Sequence, residues 1–413
     1  MGGLRKFTVA VDAVGIRGHG GAAVLSELLW WLPQVRQDWE WHVFLLPREM
    51  REFEEPVSGG RVHFTSTGMG NGPFGRLLWL NVVLPRRVRR LGADVLFSFA
   101  NIAPLLGEFP TVVYCHQLNA IGANRIAGRT FRADLRMRVL GRLMLGGAGR
   151  SGTIVVQTQS MAEALAASDR RLREKIAVIP SGYRTLDTTA PIRPELRSMV
   201  EGCSSPRIVY VSHPSEHKNH EGLLKAMPHI MKKLPSARLL LTLEAERPPN
   251  SRYASLVRHL QSVAEDAGAA NRIVWLGILS SAEVHYLLTK ADVMVFPSLA
   301  ESFGLPLAEA MAAGCPIVAA DLPYAHDVAG AAALYFEPAD PADLAQRTIE
   351  VLTDESTRKQ LVAAGAAQRN RFCYADIAER LARILSGAPG ADPQPKAVEL
   401  ESQHKAGIPS RLA

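Results

Sequence analysis

Two glutamates, Glu301 and Glu309, stand eight residues apart around a glycine and the start of a predicted helix. Gly304 lets the backbone come close to a bound group, and Pro306 suits the first turn of a helix. Amides of that turn have no partner within the helix, so they can hold phosphate oxygens. The two carboxylates would repel phosphate but accept hydrogen bonds from sugar hydroxyls. The alternative is a pair of solvated acids beside the positive end of a helix dipole.

Lys218 is the candidate cation for the same ligand. It follows the apolar run Arg207–Val211 and precedes a predicted helix for which Asn219 is the expected N-cap. A lysine in that position can neutralise the charge on a departing diphosphate. The alternative is a solvated lysine in an exposed loop.

A glycine at the end of a predicted strand marks a third candidate segment. Gly277 follows the run Ile273–Leu276 and leads into Ile278 and Leu279. The backbone of such a strand end offers hydrogen-bond donors and acceptors, so the segment could hold the edge of a nucleobase. A core strand followed by a turn explains the same residues equally well.

The elements that must position these residues are those of an α/β protein with parallel sheets. Short apolar runs between helical patterns predict two series of buried strands. The first series is Phe7–Val11, His42–Leu46, Val95–Ser98, Thr111–Cys115 and Thr153–Gln157. The second is Arg207–Val211, Leu239–Leu243, Ile273–Leu276, Val293–Phe296 and Ile317–Ala320. In such sheets ligands bind beyond the carboxyl ends of the strands, where the candidate residues stand.

A chain of 413 residues is too long for one ordinary hydrophobic core, so two domains are expected. The two parallel strand series predict that both domains are Rossmann-like. We predict a first domain at residues 1–187, an irregular linker at 188–206 and a second domain at 207–371. An amphipathic C-terminal helix at 372–386 is expected to pack back on the first domain. Residues 387–413 lack apolar periodicity, which predicts a disordered tail.

Two helix starts carry the Ser-x-x-Glu pattern of a capping box. Ser280 and Glu283 form one such pair, and Ser160 and Glu163 form the other. We therefore interpret these four residues as structural.

The basic residues are unevenly distributed. The formal net charge is +7, and residues 121–150 hold seven arginines and a single acid. The stretch Arg125–Arg142 suits a helix lying on an anionic bilayer, and a solvated basic face explains it equally well. Basic charge also attracts nucleic acid, but the interleaved aromatic residues of single-strand platforms are missing, so nucleic acid is not an expected partner.

Membrane spans and secretion signals are not expected. The apolar runs are far shorter than the roughly 20 residues that cross a bilayer, and no cleavable signal is predicted. The four cysteines have neither the spacing of zinc sites nor the density of a disulfide framework. We expect a cytoplasmic protein, peripheral at the inner face of the plasma membrane if its basic face binds lipid.

From Arg207 to about Leu344 the chain resembles the retaining GT-B glycosyltransferases of family 4 (group 1). The resemblance rests on the Glu301-x7-Glu309 pattern, on Phe303-Gly304, and on Ala310 and Gly314. It implies that Glu309 binds the nucleotide ribose and that Glu301 binds hydroxyls of the donor sugar. It also implies that amides within Ser302–Leu305 hold the sugar and the diphosphate; these residues are Ser302, Phe303, Gly304 and Leu305.

The resemblance extends, with one departure, to the leaving-group cations. Lys218 matches the family's lysine, whereas His213 stands where an arginine is usual five residues earlier. Because histidine is mostly neutral at pH 7, this substitution weakens the expected stabilisation of the diphosphate unless the ligand raises its pKa. After Leu239–Leu243 the family often has Gly-x-Gly, but this chain has Glu244-Ala245-Glu246.

In the first domain the resemblance is looser. His116-Gln117 is similar to the family's His-Asp element with glutamine in place of the acid, which implies that His116 lies near the transferred sugar. A structural histidine is the alternative. Gly20 and Gly21 close a glycine loop that would face the donor across the cleft, although the glycine spacing does not match a dinucleotide fingerprint.

The resemblance implies a GT-B fold in which residues 1–187 hold the acceptor and residues 207–371 bind the nucleotide sugar across a central cleft. It implies a retaining hexosyltransferase of the mannose or rhamnose type, acting on a saccharide or lipid-linked acceptor in surface polysaccharide synthesis. No Asp-x-Asp element marks a cation-dependent donor site, so neither a metal nor a cofactor is expected. The alternatives are a nucleotide-sugar epimerase of similar architecture and an inactive nucleotide-binding scaffold.

Overall fold

The structure is a computed structural model, and it describes most of the chain. The described residues are 5–16, 19–50, 53, 60–70, 72–116, 131–183, 190–246, 251 and 253–387. For residues 19, 73 and 131–140 it describes the backbone and not the side chains. The predicted tail therefore lies almost wholly outside the described residues.

The described first half of the chain forms a parallel sheet. Its strands are β1 (Phe7–Asp12), β2 (Trp39–Leu45), β3 (Val62–Ser66), β4 (Val95–Ser98), β5 (Thr111–Tyr114), β6 (Thr153–Val156) and β7 (Ile176–Val178). They lie in the order β3-β2-β1-β4-β5-β6-β7. The strand order reverses between β1 and β4, and a crevice for ligands opens at such a reversal.

Helices cover both faces of this sheet. They are α1 (His19–Val35), α2 (Pro47–Met50), α3 (Gly72–Leu78), α4 (Leu84–Leu91), α5 (Phe131–Arg150) and α6 (Gln159–Ser168). A π-helical turn at Trp79–Val83 joins α3 to α4. The fully buried rings of Trp41 and Trp79 belong to the cores on opposite faces of the sheet.

The second half repeats the architecture with a second parallel sheet. Its strands are β8 (Arg207–Tyr210), β9 (Arg238–Leu241), β10 (Ile273–Trp275), β11 (Val293–Phe296), β12 (Ile317–Ala320) and β13 (Ala333–Phe336), in the order β10-β9-β8-β11-β12-β13. Its helices are α7 (Pro194–Glu201), α8 (His220–Lys233), α9 (Ala254–Asp266), α10 (Ser281–Lys290), α11 (Leu305–Ala313), α12 (Pro323–Ala329), α13 (Pro341–Thr353) and α14 (Glu355–Gln368). The reversal between β8 and β11 again opens a crevice at their carboxyl ends.

The predicted fold class, α/β with two parallel sheets, is confirmed. Each predicted strand is present with bounds shifted by at most three residues, because buried central strands read as continuous apolar runs. Strands β3, β7 and β13 were not predicted. All three lie at the edges of the described sheets, where partial burial leaves a weaker apolar signal.

The prediction that 188–206 is irregular was wrong. Residues Pro194–Glu201 form α7, which starts with a proline in its first turn and buries Leu196 and Val200 in the core of the second sheet. The apolar stripe is only two residues wide over an eight-residue helix, so periodicity gave little signal.

A final helix, α15 (Tyr374–Leu385), leaves the second domain and packs against α1. Ile377 and Leu381 are buried in the core of the first sheet. At Gly182 a Cβ atom would stand 2.6 Å from the Tyr374 ring, so the crossing chains touch at a position where a side chain has no room. The C-terminal helix thus ties the two halves together.

Candidate functional site

The candidate site lies at the carboxyl ends of β8 and β11. After β8 a short 3-10 turn, Glu216–Lys218, leads to Asn219, whose backbone is left-handed with φ of 52°. Asn219 Oδ1 accepts a hydrogen bond from Gly222 N at 3.2 Å, which confirms it as the N-cap of α8. The cap uses one of the two lone pairs of this oxygen, so the other can still accept a hydrogen bond from a ligand.

The turn holds Lys218 in place through its backbone. The buried Tyr210 hydroxyl donates to the Lys218 carbonyl oxygen at 2.8 Å and lies 2.9 Å from Ser298 Oγ. The Leu299 amide donates to the His217 carbonyl oxygen at 2.7 Å. Both loops that leave β8 and β11 are therefore locked to each other.

Lys218 and Glu301 form a buried ion pair. Lys218 Nζ lies 2.5 Å from Glu301 Oε1, and the side chains are only 8% and 13% exposed. The ammonium also lies 5.9 Å from the centroid of the Phe296 ring. The predicted cation and one predicted carboxylate thus meet at one point, which solvent barely reaches.

Gly304 turns the chain from this pair into α11. Its φ is +83°, and a Cβ atom would stand 3.2 Å from side chains of Leu307 and Phe296, so glycine is required. In the described part of the chain no side chain caps α11. Pro306 has no N–H and the Leu307 amide donates to the Gly304 carbonyl oxygen at 2.9 Å, so the Leu305 amide is the one in this first turn that a ligand or solvent can take. Glu309 lies one turn inside this helix and is half-buried.

Phe303 and Leu305 present apolar side chains rather than polar groups. Phe303 is 4% exposed, and its ring contacts that of Phe372 at a centroid distance of 5.5 Å. Leu305 packs against the cores of both domains. Any contact of Phe303 with a bound ligand would therefore be made by its backbone.

Three histidines surround Lys218. Burial, followed by the charge of Lys218, lowers the pKa of His217 and brings the pKa of His220 to about 3. His220 Nε2 lies 2.7 Å from Ser212 Oγ. His213 is exposed, and its ring centroid is 6.4 Å from that of His217. His217 and His220 are neutral at pH 7, so Lys218 is the permanent positive charge of this group.

The two domains touch beside Glu301. Thr158 Oγ1 donates to the Ser302 carbonyl oxygen at 3.1 Å, and the Ser160 amide donates to Asp327 Oδ2 at 2.7 Å. The predicted capping box at Ser160 and Glu163 was wrong, because Thr158 caps α6 through the Met161 amide. Thr158 and Asp327 were not predicted, since their role depends on how the two sheets face each other.

His116 follows β5 in the first domain and is held by two hydrogen bonds. Its Nε2 lies 2.7 Å from the Phe99 carbonyl oxygen, and its amide donates to Asn101 Oδ1 at 2.5 Å. A carbonyl can only accept, so Nε2 carries the proton and Nδ1 is an acceptor. Burial lowers the pKa of His116 to about 4, so the ring is neutral at pH 7. Gln117 lies outside the described residues.

Gly20 and Gly21 lie in the first turn of α1, which begins at His19, and not in the preceding loop as expected. A Cβ atom on Gly20 would be 4.0 Å from Leu305 Cδ1, so this turn faces the start of α11 across the cleft. The loop before it is anchored by Asp12, which accepts hydrogen bonds from Arg76 Nη2 at 2.7 Å and Trp79 Nε1 at 2.8 Å. Asp12 was not predicted, although its position at the end of β1 indicates such a role.

The segment after β10 is an ordered turn. Gly277 has φ of +75°, and its amide donates to the Leu243 carbonyl oxygen at 3.0 Å. Ile278 is 55% exposed, while its carbonyl oxygen accepts a hydrogen bond from Arg193 Nη2 at 3.1 Å. Leu279 is half-buried against the core. The carbonyl oxygen of Ile278 is thus already engaged by Arg193.

The capping box that follows this turn is confirmed. Ser280 Oγ accepts from the Glu283 amide at 3.3 Å, and the Ser280 amide donates to Glu283 Oε2 at 2.8 Å. Arg193 Nε lies 2.5 Å from Glu283 Oε1, which ties the turn to the start of α7.

Comparisons with known proteins match both halves of the chain. The family model "Glycosyl transferases group 1" matches residues 201–368, and "Glycosyltransferase Family 4" matches residues 19–185. The two matches together span most of the chain. The chain belongs to the family 4 (group 1) glycosyltransferases.

Curated relatives of this chain are named as glycosyltransferases. This glycosyltransferase is 28% identical over 295 residues to the D-inositol 3-phosphate glycosyltransferase of Corynebacterium diphtheriae, covering 70% of this chain and 67% of that protein. It is 31% identical over 180 residues to the phosphatidyl-myo-inositol mannosyltransferase of Mycobacterium tuberculosis, covering 41% and 43%. The second alignment spans less than half of either chain.

Solved structures share the fold of the glycosyltransferase. Sucrose-phosphate synthase from Thermosynechococcus elongatus matches with a TM-score of 0.73 and 17% identity, over 94% of this chain and 100% of that one. Anabaena HepE in complex with UDP and glucose matches with a TM-score of 0.71 and 19% identity, over 92% and 100%. These likenesses establish the GT-B fold.

The predicted membrane-facing stretch of the glycosyltransferase is only partly described. Residues 125–130 lie outside the described residues, and α5 begins at Phe131. Arg142 is exposed on that helix. Among the described helices, none combines the length and apolar character that a membrane span requires.

Proposed function

We propose that this glycosyltransferase moves a hexose from a nucleotide sugar to a hydroxyl group with retention of the anomeric configuration. The observation that carries the proposal is the Lys218–Glu301 ion pair, 2.5 Å long and largely buried, beside the uncapped start of α11. A cation and helix amides suit a diphosphate, and a carboxylate suits sugar hydroxyls. These three features adjoin one another in one crevice.

In the proposed step the bond between the anomeric carbon and the diphosphate oxygen breaks, and its electron pair leaves with the nucleoside diphosphate. The acceptor hydroxyl attacks the same face of the sugar and forms the new glycosidic bond. Its proton passes to the departing diphosphate oxygen, so the products are the glycoside and the protonated nucleoside diphosphate. The enzyme supplies charge stabilisation and orientation.

Each candidate residue has a defined part in this proposal. Lys218 and the Leu305 amide at the start of α11 stabilise the diphosphate, with His213 contributing when it is protonated. Glu301 accepts hydrogen bonds from donor-sugar hydroxyls, and Glu309 accepts them from the ribose. Neutral His116 offers Nδ1 as an acceptor near the transferred sugar.

We further propose that transfer needs no divalent cation. The sequence has no Asp-x-Asp element at the donor site, and the permanent charge of Lys218 can take the role of a metal in stabilising the leaving group. Transfer should therefore continue after the enzyme is treated with EDTA. Loss of transfer that Mg²⁺ or Mn²⁺ restores would contradict this part of the proposal.

We propose mannose or rhamnose as the sugar and a saccharide or lipid-linked acceptor in surface polysaccharide or glycolipid synthesis. The names of two relatives, a mannosyltransferase of phosphatidyl-myo-inositol and a glycosyltransferase of inositol 3-phosphate, support this class of reaction. A lipid-linked acceptor would require access to the inner face of the plasma membrane, where the arginines of Arg125–Arg142 would bind anionic headgroups.

The decisive experiment incubates the enzyme with UDP-, GDP-, dTDP- and ADP-sugars, first in a thermal-shift screen and then with candidate acceptors. Donor binding should raise the melting temperature, and the product should keep the anomeric configuration of the donor when examined by NMR. Lys218→Ala should abolish most transfer. An isomerised sugar without acceptor would identify an epimerase, and donor binding without turnover would identify a scaffold.

A further inference from the structure

A cluster of two histidines and one carboxylate lies on the first sheet, in a part of the domain that the proposed reaction does not use. Glu40 and His42 are two residues apart on β2, so their side chains point to the same face of the sheet. His63 on β3 is the direct register partner of His42, so it joins the same face. The parallel pairing therefore brings all three side chains together.

The distances within this cluster are short. The potential ligand atoms of Glu40, His42 and His63 all lie within 4.8 Å of one another. The two imidazole rings stack with a centroid separation of 4.8 Å and an interplanar angle of 27°. His63 is exposed and the other two residues are half-buried, so an ion can enter from solvent.

We propose that Glu40, His42 and His63 form a zinc site. Two imidazoles and a carboxylate are a ligand set that Zn²⁺ prefers. With Zn–N and Zn–O distances of about 2.0–2.2 Å, tetrahedral ligands lie about 3.4 Å apart. The ligand atoms must move closer together to bind zinc, and the exposed His63 side chain has room to move. Water would complete the coordination.

Lys6 is the competitor of the metal. Its Nζ lies 2.9 Å from Glu40 Oε1, and its side chain is 59% exposed. Zinc binding must move this ammonium away from Glu40, because the two cations repel each other. Removal of the Lys6 charge should therefore strengthen zinc binding, an effect that nonspecific binding to histidines elsewhere would not show.

Zinc at this site would stabilise the sheet and would not take part in the transfer reaction. Glu40 lies near the amino end of β2, whereas the cleft lies at the carboxyl ends of the strands. A zinc ion would link β2 to β3, which is the edge strand of the described sheet. The expected role is to fasten that edge, where a strand has a neighbour on one side only.

The experiment titrates the full-length, metal-free protein with zinc chloride alone and measures binding by competition with a chromophoric chelator. His63→Ala should weaken binding about tenfold or more, since even the loss of an outer-shell partner costs about 10- to 100-fold. Lys6→Gln should strengthen it. His229→Ala, which removes an exposed histidine from α8, should leave it unchanged.

Zinc should also raise the melting temperature of the wild type and fail to raise that of His63→Ala. Circular dichroism of both proteins without metal checks that the substitution leaves the fold intact. Equal zinc affinity in the wild type and His63→Ala would overturn the proposal, as would weaker binding in Lys6→Gln. Transfer activity should be the same in His63→Ala and the wild type, so failure of the zinc site leaves the proposed reaction untouched.

Discussion

Lys218 and Glu301 have a structural role and a proposed catalytic role, and removing their charges one at a time and together distinguishes the two. The variants are Lys218→Met, Glu301→Gln and the double substitution. Methionine keeps most of the length of lysine without its charge. Glutamine keeps the shape of glutamate and one hydrogen-bond acceptor.

The burial of the pair sets the size of the expected effect on stability. At 2.5 Å and an effective dielectric constant of about 20, the attraction is about 6–7 kcal/mol before desolvation is counted. Desolvation of two ions costs several kcal/mol each, so the net stabilisation by the pair is small. Removing one partner leaves the other desolvated and unpaired, which costs about 3–5 kcal/mol, with Glu301→Gln at the lower end because the amide still accepts a hydrogen bond.

The double variant should recover part of this loss because it leaves no uncompensated charge. We expect a coupling energy of about 1–3 kcal/mol, as is usual for residues in direct contact. Chemical denaturation of the four proteins measures it. Lys359 and Glu355 form the control pair, since their 2.8 Å contact is 75% and 66% exposed, and its removal should change the free energy of unfolding by less than about 1 kcal/mol.

Activity should not follow stability. Lys218→Met should lower turnover about 100- to 1000-fold, the usual cost of one group that stabilises transition-state charge, and the double variant should stay equally inactive. Glu301→Gln should lower turnover while keeping affinity for the free nucleoside diphosphate, because Lys218 then has no competing carboxylate. Additive stability losses, or near-normal turnover of folded Lys218→Met, would refute the reasoning.

Three other substitutions test His220, Gly304 and Thr158. Burial lowers the pKa of His220 from 6.5 to about 3, so the unfolded chain binds the proton first and the stability present above pH 6.5 is lost as the pH falls towards 3. His220→Gln should reduce the pH slope of the unfolding free energy in that window by up to about 1.4 kcal/mol per pH unit, measured by urea denaturation. Gly304→Ala should reduce stability more than Gly314→Ala. Gly314 has an equally left-handed φ of +70°, but a Cβ atom there would meet nothing within 4 Å. Only Gly304→Ala should weaken nucleotide binding, measured by thermal shift. Thr158→Val should lose about 1 kcal/mol through its cap and raise the KM for the donor through its lost bond to Ser302, whereas Thr158→Ser should match the wild type in both assays.

Local sequence rules predicted much of the second domain. Asn219 and the Ser280–Glu283 pair cap their helices as expected, because a cap depends on residues within one turn. The same rule failed at Ser160. Thr158, two residues earlier, has the extended backbone that an N-cap requires, and the Ser160 amide instead donates to Asp327 in the other domain. A distant partner overrode the local pattern.

That Lys218 and Glu301 lie near each other could be predicted from the sequence, but the distance between them could not. Both residues follow strands that lie next to each other at the reversal of strand order, so a common location at the carboxyl edge follows from topology. The 2.5 Å contact depends on the left-handed backbone of Asn219 and the hydrogen bond from Tyr210, which spacing does not reveal. The bond from Thr158 to Ser302 was beyond prediction, because it joins two domains.

The ion pair also explains how a buried ammonium can be kept ready for an anionic ligand. Without a partner, the desolvated Lys218 would cost several kcal/mol. Glu301 removes this cost in the free protein and holds the ammonium beside the uncapped start of α11. When a diphosphate binds, Lys218 gains a second anionic partner without having to shed water, and the second oxygen of Glu301 can accept sugar hydroxyls. Lys218 thus loses its water during folding and not when the ligand binds. For this reason the double variant, which has no charge at either position, should regain stability and still lack activity.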